Sequence, residues 1–131
     1  MIIKLGQLVQ AEEVLFSISK QPVTIKTAYH IAKLMKSIKE ETSIYHSKRE
    51  ELIKEMGEKR DPTKEEMGKG ISGEIFEVTK ERLPEFIEKM KELNEIDITV
   101  DKWLLTFELL DKIDISAQDV LLLDSLIIDQ G

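Results

Sequence analysis

Cysteine is absent from the 131-residue chain, proline occurs three times, and aromatic residues make up 5%. Without cysteine the chain can form neither disulfides nor thiolate metal sites, a composition typical of a reducing compartment. No apolar run approaches the roughly 20 residues that span a membrane, and the first residues lack the apolar centre of a signal peptide. We therefore expect a soluble intracellular protein whose core is built from aliphatic side chains.

Charged residues make up 34% of the chain, and they are unevenly distributed. Residues 1–39 hold six lysines and two glutamates, whereas residues 95–131 hold nine acids and two lysines. The acidic end therefore carries a charge equal to the net charge of −7, and it repels nucleic acid. One predicted helix carries a basic strip of Lys26, Lys33, Lys36 and Lys39. No nucleic-acid-binding motif accompanies this strip, so we expect neither nucleic acid nor a membrane as a partner.

A long helix is the clearest element that the sequence predicts. Residues 25–56 contain neither glycine nor proline, and a helix of this length extends about 48 Å. Residues spaced alternately by three and four form an unbroken heptad seam, typical of a helix that packs along another helix. The seam consists of Ala28, Ile31, Met35, Ile38, Thr42, Tyr45, Arg49, Leu52 and Met56. We expect its far half to pack on another helix of the chain or on a second copy.

Shorter patterns surround this helix. Apolar alternation predicts strands near residues 2–5, 74–79 and 96–100, and helical stripes predict helices near residues 8–18 and 83–95. Ser116 is a candidate N-cap for a short helix, and Thr63 is a candidate cap for one helical turn before Gly68. Residues 102–113 fit a helix or a strand. We predict one domain over residues 1–131, with a mobile loop at 57–73. The predicted class is α+β, with a long helix, flanking antiparallel helices and a small antiparallel sheet.

Catalytic and metal-binding patterns are weak. His30 and His46 are about 24 Å apart along the predicted helix, so they cannot share a metal within one chain. Glu51 and Glu55 are similar to the acidic pairs with which helical nucleotide pyrophosphatases hold Mg²⁺, and this enzyme activity is a remote alternative. The surrounding glutamates alternate with lysines, as is usual on an exposed helix. We predict a protein that is not an enzyme and that needs no cofactor or metal.

Polar residues interrupt the seam in its second half. Tyr45 and Arg49 occupy positions where leucine or isoleucine stabilises a helix pair more, and both residue types are common at binding hot spots. We predict a surface for a partner or for a second copy that consists of Ile38, Tyr45, Arg49, Leu52 and Met56. If the three arginines converge, they form candidate anion contacts at Arg49, Arg60 and Arg82.

The order of elements resembles that of small proteins of unknown function encoded by tailed phages and prophages of Gram-positive bacteria. The resemblance is carried by the segments IIKLGQLVQA, YHSKREELIKEMGE, GEIFEVT, EFIEKMKELNE, IDITV and ISAQDVLLLDSLI. The segment WLLTFELL departs from that group, in which this region is more polar. The resemblance implies a phage accessory protein, located in the cytoplasm of the bacterial host or in the virion.

Two roles fit such a protein. The first is a component or chaperone of virion assembly that self-associates and contacts a phage structural protein. The second is an inhibitor of an anti-phage defence system, which binds a host protein or sequesters a nucleotide signal. The resemblance implies no catalytic residues.

Overall fold

The structure, a computed structural model, describes residues 1–60, 63–70 and 75–128. The helices are α1 (Leu5–Ser19), α2 (Ile25–Met56), α3 (Lys64–Gly68), α4 (Leu83–Asn94), α5 (Phe107–Leu110) and α6 (Ala117–Leu123), followed by a 3-10 turn (Asp124–Leu126). The strands are β1 (Ile2–Lys4), β2 (Gly57–Arg60), β3 (Ile75–Val78), β4 (Asp97–Thr99), β5 (Leu105–Thr106) and β6 (Ile127–Ile128). The predicted α+β class with a long helix is confirmed.

The chain divides into two compact units, and one domain over residues 1–131 stays a prediction. Unit 1 comprises Met1–Tyr45 and Leu93–Gly131, and unit 2 comprises His46–Glu92. Helix α2 therefore contributes its first part to unit 1 and its last part to unit 2.

Unit 1 contains the hydrophobic core. Helix α1 buries a wide apolar stripe, and the first half of α2 adds Ile31, Leu34 and Ile38. The C-terminal segment contributes three fully buried residues to the core: Leu105 of β5, Leu123 of α6 and Leu126 of the 3-10 turn. Burial of a large aliphatic side chain stabilises a fold by roughly 1.5–3 kcal/mol, so this cluster holds the ends of the chain together.

Two small sheets connect sequence-distant parts of unit 1. Strands β1 and β4 pair antiparallel with Ile3 opposite Ile98. The sequence predicted both strands and an antiparallel sheet, but not which strands pair. Strands β5 and β6 form a parallel pair that the sequence did not predict. Residues 102–113, for which helix and strand were both open, contain β5 and then the single turn α5. Thr106 is the last residue of β5, and its hydroxyl caps α5 by accepting a hydrogen bond from the Leu109 amide.

The buried face of α2 differs from the predicted seam in its first half. Thr27 and Leu34 are buried, whereas Ala28 is exposed and Met35 is half-buried. A strict heptad repeat drifts by about 20° per heptad around a helix with 3.6 residues per turn. The core of unit 1 follows the helical period, so the buried positions shift by one residue toward the start of the helix.

Unit 2 contains elements within the predicted mobile loop at 57–73. Residues 57–60 form β2, which pairs antiparallel with β3. As the sequence indicated, Thr63 caps the short helix α3: its hydroxyl accepts a hydrogen bond from the Glu66 amide, and the Glu66 carboxylate accepts one from the Thr63 amide. The remaining residues of the predicted loop, 61–62 and 71–73, lie outside the described ranges. Mobility of residues 57–73 therefore stays a prediction, but the strand and the helix within them leave less irregular chain than expected.

Gly57 joins the end of α2 to β2 at a point without room for a side chain. A β-carbon there would lie 2.4 Å from the carbonyl oxygen of Ile53 and 2.9 Å from that of Glu77. Both atoms belong to backbone, which cannot rotate away as a side chain can.

We expect Gly57→Ala to open the β2–β3 pair, because the added methyl group forces the two backbones apart at a cost above about 1 kcal/mol. Limited proteolysis with trypsin measures this opening through the rate of cleavage after Lys59 and Arg60. Gly68→Ala is the matched control, since a β-carbon at Gly68 meets nothing within 4 Å. Equal cleavage rates for Gly57→Ala and wild type would contradict the steric requirement.

Candidate interaction surfaces

The five residues of the predicted partner surface fall into different environments. Ile38 and Met56 are 1% and 2% exposed, so they offer a partner no surface in this conformation. Tyr45 is half-buried against the core of unit 1. Leu52 is half-buried and Arg49 is exposed in unit 2. Of the predicted set, Arg49 is thus the most accessible residue.

Unit 2 has almost no interior of its own. Met56 is the only buried hydrophobic residue in its described part, although α2, β2–β3 and α4 bring several large apolar side chains into the unit. Ile53, Phe76 and Val78 are half-buried. These apolar residues of unit 2 therefore remain partly exposed to water.

Helix α4 shows this most clearly. Its sequence predicts an apolar stripe of Leu83, Phe86 or Ile87, Met90 and Leu93, and the helix forms as predicted. Leu93 is half-buried against the core of unit 1. No residue of α4 is buried, and Leu83 and Ile87 are 42% and 57% exposed. We call the four apolar residues of α4 that lie in unit 2, Leu83, Phe86, Ile87 and Met90, the α4 face. An amphipathic helix with an uncovered apolar stripe is the usual element by which one protein docks on another.

The three arginines are engaged in different ways. Arg60 donates two hydrogen bonds to the Glu66 carboxylate, at 2.7 and 3.1 Å, and its Nε lies 3.0 Å from Glu77. Two carboxylates around one guanidinium leave this position negative, which disfavours an added anion. Arg82 donates to the Glu55 carbonyl at 2.9 Å and pairs with Glu85. These contacts give the predicted anion site at Arg49, Arg60 and Arg82 no support.

The Arg60–Glu66 pair organises the end of β2 and the start of α3. The hydrogen bonds from Arg60, and next those from the Thr63 backbone, lower the pKa of Glu66 from 4.5 to about 2. The same carboxylate accepts the Thr63 amide hydrogen at 3.0 Å and closes the capping box. Glu66 thus links a strand, a cap and a helix, and each of these contacts favours its charged form.

A groove lies between α1 and α2 in unit 1, and we call it the α1/α2 groove. It has a volume of about 990 Å³ and is lined by Glu12, Glu13, Phe16, Ser17, Ala32, Met35, Lys36 and Lys39. Its apolar residues are Phe16, Ala32 and Met35. The α1 rim is acidic and the α2 rim is basic.

Two contacts fix the walls of this groove. The hydroxyl of Thr42, which is buried, donates a hydrogen bond to the Glu12 carboxylate and so ties α1 to α2. The Lys20 ammonium lies 4.4 Å from the centre of the Phe16 ring, within cation–π distance, and the ring remains 53% exposed. The exposed phenyl ring therefore lines the groove rather than packing into the core.

Trp103, which the sequence assigned to the core more readily than to an interface, is 38% exposed. Its backbone has φ = 60°, a left-handed conformation that is rare for a bulky residue. The Nε2 atom of His30 lies 3.0 and 2.9 Å from the carbonyl oxygens of Trp103 and Leu104. Because both partners are acceptors, Nε2 carries the hydrogen, and His30 is a structural residue that stabilises this turn.

Across residues 1–60, 63–70 and 75–128, no three His, Asp or Glu side chains come together in a group that could hold a metal ion. No helix in these ranges is both long enough and apolar enough to cross a bilayer.

Comparison with known proteins adds no relative: no protein-family model, curated protein or solved structure matches this chain.

Sequence reasoning missed the α1/α2 groove. Phe16 lies off the predicted stripe of α1, and Met35 was assigned to the seam of α2. A signal was available, since a large aromatic residue outside the apolar stripe of an amphipathic helix is exposed unless something covers it. Lys36 and Lys39 belonged to the basic strip, but the sequence could not show that the acidic residues of α1 lie opposite them.

We expect the Glu66 carboxyl to titrate with a midpoint near pH 2. Because the pKa is lower in the folded protein, the stabilisation it provides is present above about pH 4.5 and is lost as the pH falls toward 2. An NMR titration of the Glu66 side-chain carboxyl carbon measures the midpoint directly. Arg60→Ala should move it back toward 4.5, and a wild-type midpoint already at 4.5 would contradict the pairing.

Proposed function

We propose that the protein is a non-enzymatic accessory protein that works by contact with another protein and by association with itself. The observation that carries this proposal is the lack of a buried core in unit 2, whose only buried hydrophobic residue in the described ranges is Met56. In this reading, unit 1 provides a stable fold, and unit 2 provides an apolar surface that a partner covers.

The energetic basis is the apolar area that remains in contact with water. Each square ångström of such area removed from water contributes roughly 25 cal/mol to association. Leu83 and Ile87 on the α4 face retain much of their accessible area, and Phe86 and Met90 are half-buried beside them. Burial of this face by a partner would therefore stabilise the complex, because this apolar area is still exposed to water in the free chain.

The polar residues of α4 fit the same interpretation. Glu85, Glu88 and Glu92 alternate with Lys89 and Lys91 along the helix, so both signs of charge flank the apolar stripe. Mixed charges on the rim of an interface fix the orientation of the bound partner more than they raise its binding affinity. A surface of this kind suits a specific protein partner, whereas it has little to offer a polyanion such as nucleic acid.

Among the roles that the phage resemblance implies, we propose virion assembly, either as a component or as a chaperone, in the host cytoplasm or in the virion. A chaperone or assembly factor must present apolar surface to a partner and remain folded without it. A well-packed unit 1 joined to a poorly buried unit 2 provides both properties. The inhibition of a defence system would use the same kind of surface, but the contacts of Arg60 and Arg82 do not favour capture of a nucleotide signal.

The test is affinity capture from host cells with quantitative mass spectrometry, using wild type and Ile87→Lys as baits. We expect wild type to recover a discrete protein in near-stoichiometric amount, and Ile87→Lys to reduce this recovery about tenfold or more. Ile87 is exposed, so the variant should melt at the same temperature as wild type.

Glu88→Gln is the matched control, because it makes the same change of charge at a neighbouring exposed position of α4. This variant should recover the partner as wild type does. Recovery that is equal for Ile87→Lys and wild type, or the absence of any discrete partner, would contradict the proposal.

A further inference from the structure

We propose that the α1/α2 groove is the surface through which two copies of the protein associate about a twofold axis. This inference rests on the self-association part of the proposed function, and it assigns that part to residues of unit 1 that the predicted seam surface did not include.

The rims carry opposite charges. Glu12 and Glu13 lie on the α1 side, and Lys36 and Lys39 lie on the α2 side. Within the described residues, Glu13, Lys36 and Lys39 make no ion pair closer than 4.0 Å. Glu13 on one rim and Lys36 and Lys39 on the other are therefore charges that can form ion pairs with a second copy.

A twofold axis that runs along the groove, parallel to α1 and α2, would bring these charges together. In an isologous dimer the same surface of each copy meets its counterpart, and an axis in this direction exchanges the two sides of the groove. The acidic α1 rim of one copy then faces the basic α2 rim of the other, and the reverse contact forms as well. An unrelated partner would need both an acidic and a basic side in the correct order, whereas a second copy has them by construction.

The floor of the groove supplies the apolar part of such an interface. Phe16, Ala32 and Met35 line it, and α2 continues the apolar strip outward with Tyr29 and Ile25, whose side chains are 55% and 88% exposed. Association would pack α1 and α2 of each copy into an arrangement of four helices, which is a common way to build a homodimer. Large exposed apolar residues between charged rims are what such an interface requires.

The overall charge of −7 opposes association at long range. This repulsion is screened beyond about 8 Å at physiological ionic strength, whereas ion pairs across the rims act at contact distance. The local rim charges therefore determine how two copies meet.

Charge reversal gives a test specific to a second copy. Glu13→Lys with Ser17→Lys makes the α1 rim basic, and Lys36→Glu with Lys39→Glu makes the α2 rim acidic. In each double variant both rims have the same sign, so we expect both variants to be monomers. In an equimolar mixture every rim of one variant faces a rim of opposite charge on the other, so we expect a heterodimer.

Light scattering and native mass spectrometry at micromolar concentration provide the readout. We expect wild type to be a dimer and Phe16→Ser to weaken the dimer about tenfold or more. Gln10→Lys with Lys26→Glu is the control, because it reverses or adds charge on exposed positions of the same helices outside the groove, and it should remain a dimer. All changed positions are exposed, so far-UV circular dichroism and the melting temperature should match those of wild type.

A strictly monomeric wild type, charge variants that remain dimers, or a mixture that stays monomeric would overturn the inference. None of these outcomes affects the α4 face. Loss of partner capture by Ile87→Lys with a monomeric wild type would leave partner binding in place and remove the groove dimer. A groove dimer together with equal partner capture by Ile87→Lys and wild type would leave the dimer in place and remove the α4 face as the partner-binding surface.

Discussion

Burial of aliphatic side chains in unit 1 is the interaction on which the rest of the molecule depends. Every buried hydrophobic residue in the described ranges except Met56 belongs to this unit. The cluster joins α1, the first half of α2 and the last segment of the chain, and it keeps the β1–β4 pair closed. Because so much apolar surface is used there, unit 1 is expected to supply most of the free energy of unfolding.

The same constraint explains where binding surfaces remain. Unit 2 is organised mainly by polar contacts and strand pairing, such as the Arg60–Glu66 pair and the β2–β3 hairpin, and it leaves the α4 face partly in water. In unit 1 apolar side chains remain exposed at the α1/α2 groove, where Phe16 lies outside the core. Each unit thus leaves apolar side chains in contact with water. We propose that a partner protein covers the α4 face and that a second copy covers the α1/α2 groove.

Local patterns predicted much of this fold. The bounds of α2, the caps at Thr63 and Ser116 and the stripe of α4 follow from spacing and from residue types that act over a few positions. The parallel β5–β6 pair did not follow, since each strand has two residues and the partners are far apart in sequence. The groove escaped prediction for the same reason: the acidic rim and the basic rim come from different helices, and their opposition is a product of packing.

Native-state amide hydrogen exchange, resolved by residue, tests the central claim that unit 1 holds the core and unit 2 does not. We expect the amides of α1 and of Ile31–Thr42 in α2 to exchange only through global unfolding. We expect the amides of β2, β3 and α4 to exchange through local opening, orders of magnitude faster. Protection of α4 as strong as that of α1 would contradict the claim that unit 2 lacks a core.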